Sequence, residues 1–356
     1  MTMIRRRSLA LGFAALCLSA IAACASTSTP PTSNASDSDS ATPETVELTL
    51  VSYAVTEGAY QNIIPKFAEY WKEKTGQTVI FDQSYGGSGS QTRAVIDGLE
   101  ADVVALAIAL DTQEIEKAGL IEPGWEKEVP TGDGIVHRSV AALVTREGGP
   151  TVKGWEDLAK GDVEIITANP KTSGGARWNY LVLWGALTES GRTDAEAEKF
   201  VTDVFRHVPI LPKNAREATD VFYQQQQGDV LINYENEVIL AAQQGKVQPY
   251  VIPTDYNISI DNPVAVVDKN VDAKGTREVA EAFVEFLFTP AAQEEFAKVG
   301  FRPVDPDVAA KYASQFPEID NLFTVDDLGG WAAIQAKFFD DGAAFDKMLA
   351  KIGQGQ

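Results

Sequence analysis

The sequence predicts an α/β protein with two lobes, and three observations support this prediction. Its 356 residues are 44% hydrophobic and 23% charged, which is typical of a soluble globular protein. Apolar runs of strand length alternate with segments of helical periodicity between residues 46 and 267. A stretch of that length exceeds one comfortable hydrophobic core. We therefore expect two lobes, each with a parallel sheet covered by helices on both faces.

The alternation begins with a strand at 46–51 and a helix at 60–71, in which Pro65 is expected to cause a kink. Further strands are predicted at 78–81, 102–107, 139–145, 163–167, 229–233 and 265–267. Further helices are predicted at 90–99, 112–118, 176–188, 195–205, 215–227, 237–244, 279–287, 291–298, 308–313, 331–339 and 345–352. The chain is expected to leave the first lobe near 140–145 and to return near 258–266, which makes these segments the predicted hinge.

The N-terminus has the pattern of an export signal. Residues 5–7 are arginines, residues 9–21 are mostly apolar, and Cys24 follows two alanines. This order is typical of a secretory signal that ends in a lipobox, and the apolar run is short for a permanent membrane span. We expect residues 1–23 to be a signal peptide and Cys24 to carry the lipid. The alternative is cleavage near Ala23 or Ala25 without lipidation.

The predicted domain organisation follows from composition and from the alternation. Residues 24–45 are rich in Ser, Thr, Pro and Asp, so they cannot bury enough apolar surface to fold and are predicted to form a disordered tether. The first part of lobe 1 is predicted at 46–140 and lobe 2 at 141–257. The segment 258–356 is predicted to return to lobe 1 and to add the C-terminal helices.

Charge and composition exclude several classes of function. Lys and Arg number 30 against 51 Asp and Glu, a net charge of −21, and loss of residues 1–23 would remove three arginines and give −24. Nucleic acid is therefore excluded as a partner, because binding to it depends on basic side chains that neutralise phosphates. Two cysteines cannot build a disulfide framework, and His137 and His207 do not form a zinc motif. No metal and no cofactor are predicted.

Three helix starts carry the most specific signals. Residues 84–91 read SYGGSGSQ, residues 169–180 read NPKTSGGARWNY, and residues 214–216 read NAR. Free N–H groups at a helix start carry partial positive charge, and glycines let the backbone approach a ligand, so these segments suit an anion. The first segment lacks the residues of a Walker A loop, of GxGxxG and of a nucleophile elbow. A flexible surface loop at 84–91 and an ordinary N-cap at Asn214 remain the alternatives.

An enzymatic function is the rival interpretation of the same segments. Ser88 or Ser173 would be the nucleophile of an envelope hydrolase, with the glycine loops as an oxyanion hole. Such an enzyme needs a base, and neither His137 nor His207 lies in a segment with a partnering signature. We therefore predict no catalytic residues and no enzymatic activity.

The chain resembles the sulfate-binding proteins, the receptor subunits of sulfate/thiosulfate ABC importers. The similarity extends from about residue 48 to residue 349 and is most specific in 83–89, 169–180, 228–232, 235–237, 266–269 and 329–331. It implies a two-lobed periplasmic-binding-protein fold of type II, with a hinge and a ligand cleft between the lobes. It also implies that a monomer captures sulfate and delivers it to a membrane permease. Thiosulfate, molybdate or phosphate as the ligand, and a sensory or scaffold lipoprotein, are the alternatives.

The family's binding residues are carried over position by position. The implied donors are the backbone N–H and hydroxyl of Ser88, the turn of Ser173, Gly174 and Gly175, the N–H of Ala215 and the side chain of Tyr234. The implied supporting residues are Tyr85, Gly87, Gly89 and Arg177. The sequence departs from the family pattern at Tyr234, where the family has tryptophan, and at Tyr85 and Ala54, which replace a histidine and an aspartate. A tyrosine hydroxyl still donates, but it also accepts.

Overall fold

The computed structural model describes residues 45–354, so the predicted signal peptide, Cys24 and the tether up to residue 44 lie outside the described residues. The described strands are β1 Thr45–Tyr53, β2 Thr78–Gly86, β3 Val103–Ala105, β4 Ile135–Ser139, β5 Ala141–Thr145, β6 Ile165–Ile166, β7 Val230–Tyr234, β8 Tyr250–Val251, β9 Asn257–Ile258, β10 Ile260–Val266, β11 Arg302–Pro303 and β12 Leu322–Phe323. Most of them are short. The sequence pattern predicted β1, β2, β3, β5, β6 and β7, but it missed β4 and most of β10.

The described helices are α1 Glu57–Thr75, α2 Ser88–Ile96, α3 Ala109–Lys117, α4 Gly174–Glu189, α5 Asp194–Arg206, α6 Ala215–Tyr223, α7 Glu235–Gln243, α8 Asp268–Lys274, α9 Arg277–Leu287, α10 Pro290–Lys298, α11 Pro306–Tyr312, α12 Gly330–Ile334 and α13 Ala344–Gln354. A π-helical turn at Gln335–Phe339 continues α12. The helix predicted at 215–227 ends four residues early, at Tyr223, and it cannot extend through Gln226, which adopts a positive φ of 55°.

Two sheets form the two lobes. The first has six strands in the order β11-β4-β10-β3-β1-β2, and the second has four in the order β6-β7-β5-β8. Strand β4 belongs to the first sheet and β5 to the second, so the chain passes from one lobe to the other at Val140. The strand predicted at 139–145 corresponds to β5 and includes only Ser139 of β4, whose other residues were not predicted to form a strand.

The strand directions correct one part of the prediction. Strands β2 and β3 run parallel to β1, and β6 runs parallel to β7, as expected. Strand β10, however, is antiparallel to β3 and β4, and β5 is antiparallel to β7 and β8. The sheets are therefore mixed rather than purely parallel, because the strands at the crossings between the lobes enter each sheet from the opposite end.

The C-terminal helices pack on the helices of the second lobe. Tyr180 of α4 contacts the rings of Phe338 and Phe345, and Trp178 of the same helix packs edge-on against Trp331 at 5.0 Å between ring centroids. This aromatic cluster packs around the N-terminal half of α4, the helix that follows the predicted anion-binding residues 173–175. No helix in the described part of the chain is long and apolar enough to cross a membrane.

Candidate oxyanion-binding site

A small cavity lies between the two lobes. Its lining residues are Tyr53, Ala54, Val55, Gly86, Gly87, Ser88, Ala107, Ser173, Gly174, Gly175, Asn214, Ala215 and Tyr234. All six residues that were implied as ligand donors line this one cavity. They come from both lobes and from positions up to 146 residues apart (88 to 234), so the fold and not local sequence brings them together.

The first lobe contributes the start of α2. Gly87 is the N-cap of this helix, and its carbonyl oxygen accepts from the N–H groups of Ser90 and Gln91. The N–H of Ser88 is among the first N–H groups of the helix, which have no carbonyl partner within it. The Ser88 hydroxyl donates to Asp111 and accepts from the N–H of Ala107 at 3.0 Å. Since a hydroxyl has one proton, the expectation for Ser88 is corrected here: its backbone N–H faces an anion as a donor, and its hydroxyl is engaged within the protein.

The second lobe contributes the start of α4. Ser173 is the N-cap, and its hydroxyl oxygen accepts from the N–H of Ala176 at 3.2 Å while its own N–H donates to the Asn169 carbonyl at 2.9 Å. The hydroxyl proton of Ser173 is therefore available to a ligand. Gly174 and Gly175 are the first two residues of the helix, so their N–H groups are available as well.

Helix α6 starts on the same side of the cavity. The side-chain oxygen of Asn214 accepts from the N–H of Glu217 at 2.9 Å, which confirms the predicted N-cap. The N–H of Ala215, the first residue of the helix, has no partner within the helix. Three helix starts therefore direct backbone donors and partial positive charge at one small volume.

Glycine is required at two of these positions because the backbones approach so closely. A Cβ on Gly175 would lie 2.6 Å from a ring carbon of Tyr234 and 2.9 Å from its hydroxyl oxygen. A Cβ on Gly87 would overlap the carbonyl oxygen of Thr172, which belongs to the other lobe. The glycines thus allow the two loops to meet across the cleft, in addition to exposing backbone N–H groups.

Two tyrosine hydroxyls complete the lining. Tyr53 and Tyr234 are 3% and 1% exposed, and neither hydroxyl has a hydrogen-bond partner. Burial raises the pKa of both phenols well above 10, so both are neutral and carry a proton. Tyr234 was implied by the family resemblance. Tyr53 was not identified, although it stands at the carboxyl end of the first predicted strand, where ligands of α/β proteins bind.

A buried ion pair lies directly behind Ser88. The carboxyl of Asp111 is 3.9 Å from the guanidinium of Arg177, whose Nε donates to the Pro170 carbonyl at 3.0 Å. Burial raises the pKa of Asp111 to about 6, against the opposing effects of Arg177 and the Ser88 hydroxyl. Arg177 does not line the cavity, and it reaches the site through Asp111. No local pattern marked Asp111, because its partner Ser88 is 23 residues away in the sequence.

Further contacts join the lobes beside the cavity. The indole N–H of Trp178 in α4 donates to the carbonyl of Ala107 at 2.8 Å, so this buried residue also bridges the lobes. Arg216, next to Ala215, donates to the carbonyl of Val55 at 3.4 Å and pairs with buried Glu237 at 2.8 Å. These bonds hold the lobes closed around the cavity.

Two of the supporting residues lie apart from the cavity. The Tyr85 hydroxyl donates to the side chain of Gln83 at 2.7 Å at the protein surface. Gly89 is the second residue of α2 and does not line the cavity. Gly87, in contrast, is part of the lining.

The site contains no arrangement of a hydrolase among the described residues. His137 is packed between Phe296 and Phe301, with ring centroids 4.5 Å and 4.1 Å away, and burial lowers its pKa to about 3. The Ser88 hydroxyl donates to the carboxyl group of Asp111 and not to a histidine, and the Ser173 hydroxyl caps a helix. Residues 45–354 also contain no group of three or more His, Cys, Asp and Glu side chains placed to hold a metal ion.

Comparisons with known proteins agree with this geometry. Residues 48–302 match the family described as bacterial extracellular solute-binding protein. A sulfate-binding protein of Synechocystis is 56% identical over 98% of this chain and 99% of its own length. A second, from Synechococcus elongatus, is 62% identical over 86% of this chain and 87% of its own length.

A solved structure extends the likeness to three dimensions. The sulfate-binding protein SubI from Mycobacterium tuberculosis is 39% identical, with a TM-score of 0.76, and the match covers 83% of this chain and 99% of that one. The fold is thus the predicted two-lobed, type II periplasmic-binding-protein fold, with mixed sheets. By sequence and by structure, the chain belongs to the sulfate-binding proteins of the bacterial extracellular solute-binding family.

Proposed function

We propose that this protein captures sulfate in the cavity between its lobes and delivers it to a membrane permease of the ABC type. The observation that carries the proposal is the chemistry of the donors that converge on the cavity. They are the N–H groups of Ser88, Gly174, Gly175 and Ala215 and the hydroxyls of Ser173 and Tyr234. None is charged, and each can donate. Sulfate at neutral pH offers acceptors alone, so such a set satisfies all of its oxygens.

The same donors favour sulfate over phosphate. Hydrogenphosphate carries a proton, which would face a donor without an acceptor to receive it. An unpaired buried polar group costs about 1–3 kcal/mol, so phosphate binds more weakly by roughly 5- to 150-fold. The hydroxyl of Tyr234 can also accept, and this reduces the discrimination against phosphate relative to a tryptophan at the same position.

The net charge of the chain does not prevent binding of a dianion. Screening acts over about 10 Å at 0.1 M salt, whereas the helix N–H groups touch the ligand directly. Hydrogen bonds to an ion contribute about 1.5–3 kcal/mol each, so six of them exceed the roughly 8 kcal/mol of micromolar binding and leave a surplus that offsets desolvation and closure. The net charge of −21 therefore acts mainly by slowing association at low ionic strength.

The proposal extends to the envelope and to the motion of the lobes. Residues 1–23 direct export, Cys24 carries a lipid, and the tether to residue 45 holds a monomer beside its permease. The lobes rotate about the crossing at Val140 and the segment 258–266. Residues 46–140 belong to the first lobe and 141–257 to the second, and the C-terminal helices α12 and α13 move with the second lobe, on which they pack. The protein performs no catalysis. Thiosulfate, whose oxygens are acceptors as well, is the second ligand that this donor set suits.

Isothermal titration calorimetry tests the proposal. Bound anion is first removed by partial unfolding and dialysis, and the protein is then titrated with sulfate, with thiosulfate, molybdate and phosphate as competitors. We expect one sulfate per chain with a dissociation constant in the micromolar range or below. Binding of molybdate or phosphate in preference to sulfate would contradict the ligand assignment. Absence of binding to all four anions would leave the hydrolase and scaffold functions to be tested.

A further inference from the structure

Three buried tyrosines in the described part of the chain have hydroxyls without a hydrogen-bond partner: Tyr53, Tyr60 and Tyr234. Two of them, Tyr53 and Tyr234, line the cavity, and Tyr60 does not. Tyr60 instead packs its ring edge-on against Phe296 at 5.8 Å. An unpaired buried hydroxyl is unfavourable, so an orphan that faces a cavity indicates an acceptor that occupies the cavity. Both Tyr234 and Tyr53 are orphans of this kind.

The position of Tyr53 is fixed by its surroundings. It is the last residue of β1, opposite Gly86 of β2 in the parallel register, and its carbonyl accepts from the Thr56 hydroxyl at 2.7 Å. Its ring lies 6.1 Å from that of Tyr234, with 37° between the ring planes. Because β1 belongs to the first sheet and β7, which ends at Tyr234, to the second, the two phenols approach the cavity from opposite lobes.

The donors of the two lobes are otherwise unequal. Of the implied donors, the second lobe provides the groups of Ser173, Gly174, Gly175, Ala215 and Tyr234, whereas the first provides only the N–H of Ser88, since the Ser88 hydroxyl is engaged by Asp111. A receptor that closes on its ligand needs contacts from both lobes, because only a contact made in the closed state favours closure. We therefore expect the first lobe to contribute a further donor at the cavity.

We propose that the Tyr53 hydroxyl is a direct ligand of the bound oxyanion, donating from the first lobe opposite Tyr234. The proposal rests on the function proposed above, and it adds a binding residue that the family resemblance did not imply. Tyr53 is then one of the groups through which the first lobe holds the anion, so that capture of the anion favours the closed state.

The test compares Tyr53→Phe with the matched control Tyr60→Phe, in the anion-stripped protein. Each variant removes one orphaned, buried hydroxyl and keeps the ring, so both variants are expected to fold and to melt within a few degrees of the unaltered protein. Sulfate titration should show a dissociation constant about 10-fold or more higher for Tyr53→Phe, as expected for a lost hydrogen bond to an ion. Tyr60→Phe should bind as the unaltered protein does.

The outcomes separate this inference from the function on which it rests. Equal sulfate affinity of Tyr53→Phe and the unaltered protein, within two-fold, would overturn the inference and leave sulfate capture intact. An equal loss of affinity in Tyr60→Phe would also overturn it, because the effect would then be a general one of the buried tyrosines. Absence of sulfate binding by the unaltered protein would overturn the proposed function together with the inference. If Tyr53→Phe did not fold, Tyr53→Trp, which moves the donor, would serve as the second variant. Sulfate should then raise the melting temperature of Tyr53→Trp by less than it raises that of the unaltered protein. An equal rise in both proteins would refute the proposal.

Discussion

Ser88 and Ser173 stand at the starts of two glycine-marked helices, on opposite lobes of the same cavity, yet their hydroxyls do different things. Ser173 is an N-cap, so its oxygen accepts from the helix while its proton stays available. Ser88 is the first residue inside its helix, and its hydroxyl bridges Asp111 and the N–H of Ala107. A shift of one position at the helix start thus separates a serine whose hydroxyl proton is available to a ligand from one whose hydroxyl is engaged within the protein.

Substitution of Ser173 should have the largest effect in this comparison. Ser173→Ala removes a hydroxyl that donates to the anion, and we expect a loss of sulfate affinity of about 10- to 100-fold, together with about 1 kcal/mol of stability from the lost cap. Titration calorimetry measures the first and denaturant unfolding the second. Ser173→Thr is the matched control because it keeps the hydroxyl, and equal loss in both variants would show that the hydroxyl is not the cause.

Substitution of Ser88 should give the reverse pattern. Ser88→Ala keeps the backbone N–H at the cavity, but it removes the hydrogen bond to the buried Asp111 carboxyl and leaves the Ala107 N–H without its acceptor. The free energy of unfolding should fall by about 1–3 kcal/mol, while sulfate affinity falls less than about 10-fold. A larger loss of affinity than in Ser173→Ala would mean that the Ser88 hydroxyl turns to the anion, and the comparison would be broken.

The pH dependence of stability sharpens the account of Asp111. Its pKa is raised to about 6 from 3.8, so in the folded protein the carboxyl binds its proton more tightly, and its contribution to stability falls as pH rises from about 4 to about 6. Arg177 and Arg93 oppose this shift, and Glu114 adds to it. Asp111→Asn should remove this loss. The free energy of unfolding of the variant should therefore rise relative to that of the unaltered protein, by up to about 3 kcal/mol between pH 4 and pH 6. Parallel curves of unfolding free energy against pH would refute the assignment.

Replacement of Tyr234 should have the smallest effect on sulfate affinity. Tyr234→Trp replaces a group that donates and accepts by one that only donates. Sulfate affinity should change by only a few-fold, while the ratio of phosphate to sulfate affinity falls, because the proton of hydrogenphosphate loses an acceptor. Competition titrations measure this ratio, and an unchanged ratio would show that the Tyr234 hydroxyl does not soften the exclusion of phosphate.

Sequence patterns predicted the fold where a signal is local. The strand at 46–51 and the helices that begin near Ala176 and Ala215 are present, because apolar periodicity and N-cap residues act over a few neighbours. The crossing near residue 140 was expected, but strand β4 before it and the directions of the strands were not, since these depend on which sheet a strand joins. The two-residue strands, such as that at Arg302, were too short to show a pattern.

The site divides in the same way. Glycines and serines at helix starts, with the resemblance, identified six residues that the structure brings to one cavity. Asp111 and Tyr53 were missed, because their roles arise from partners that are distant in the sequence: Ser88 for the one and the facing Tyr234 for the other. The hydrogen bonds of the Ser88 hydroxyl to Asp111 and Ala107 could not be predicted from the glycine-rich segment either, because both partners are distant in the sequence.

The central claim is that an uncharged set of donors selects an oxyanion by the absence of a proton. Competition of phosphate against sulfate at about pH 8.5 tests it most directly, because both anions then carry two charges and differ by the proton that hydrogenphosphate retains. The account predicts that sulfate is preferred by at least roughly 5-fold, the cost of one unpaired donor. Equal affinities of the two dianions would contradict it, since they would show that the cavity recognises charge and shape alone.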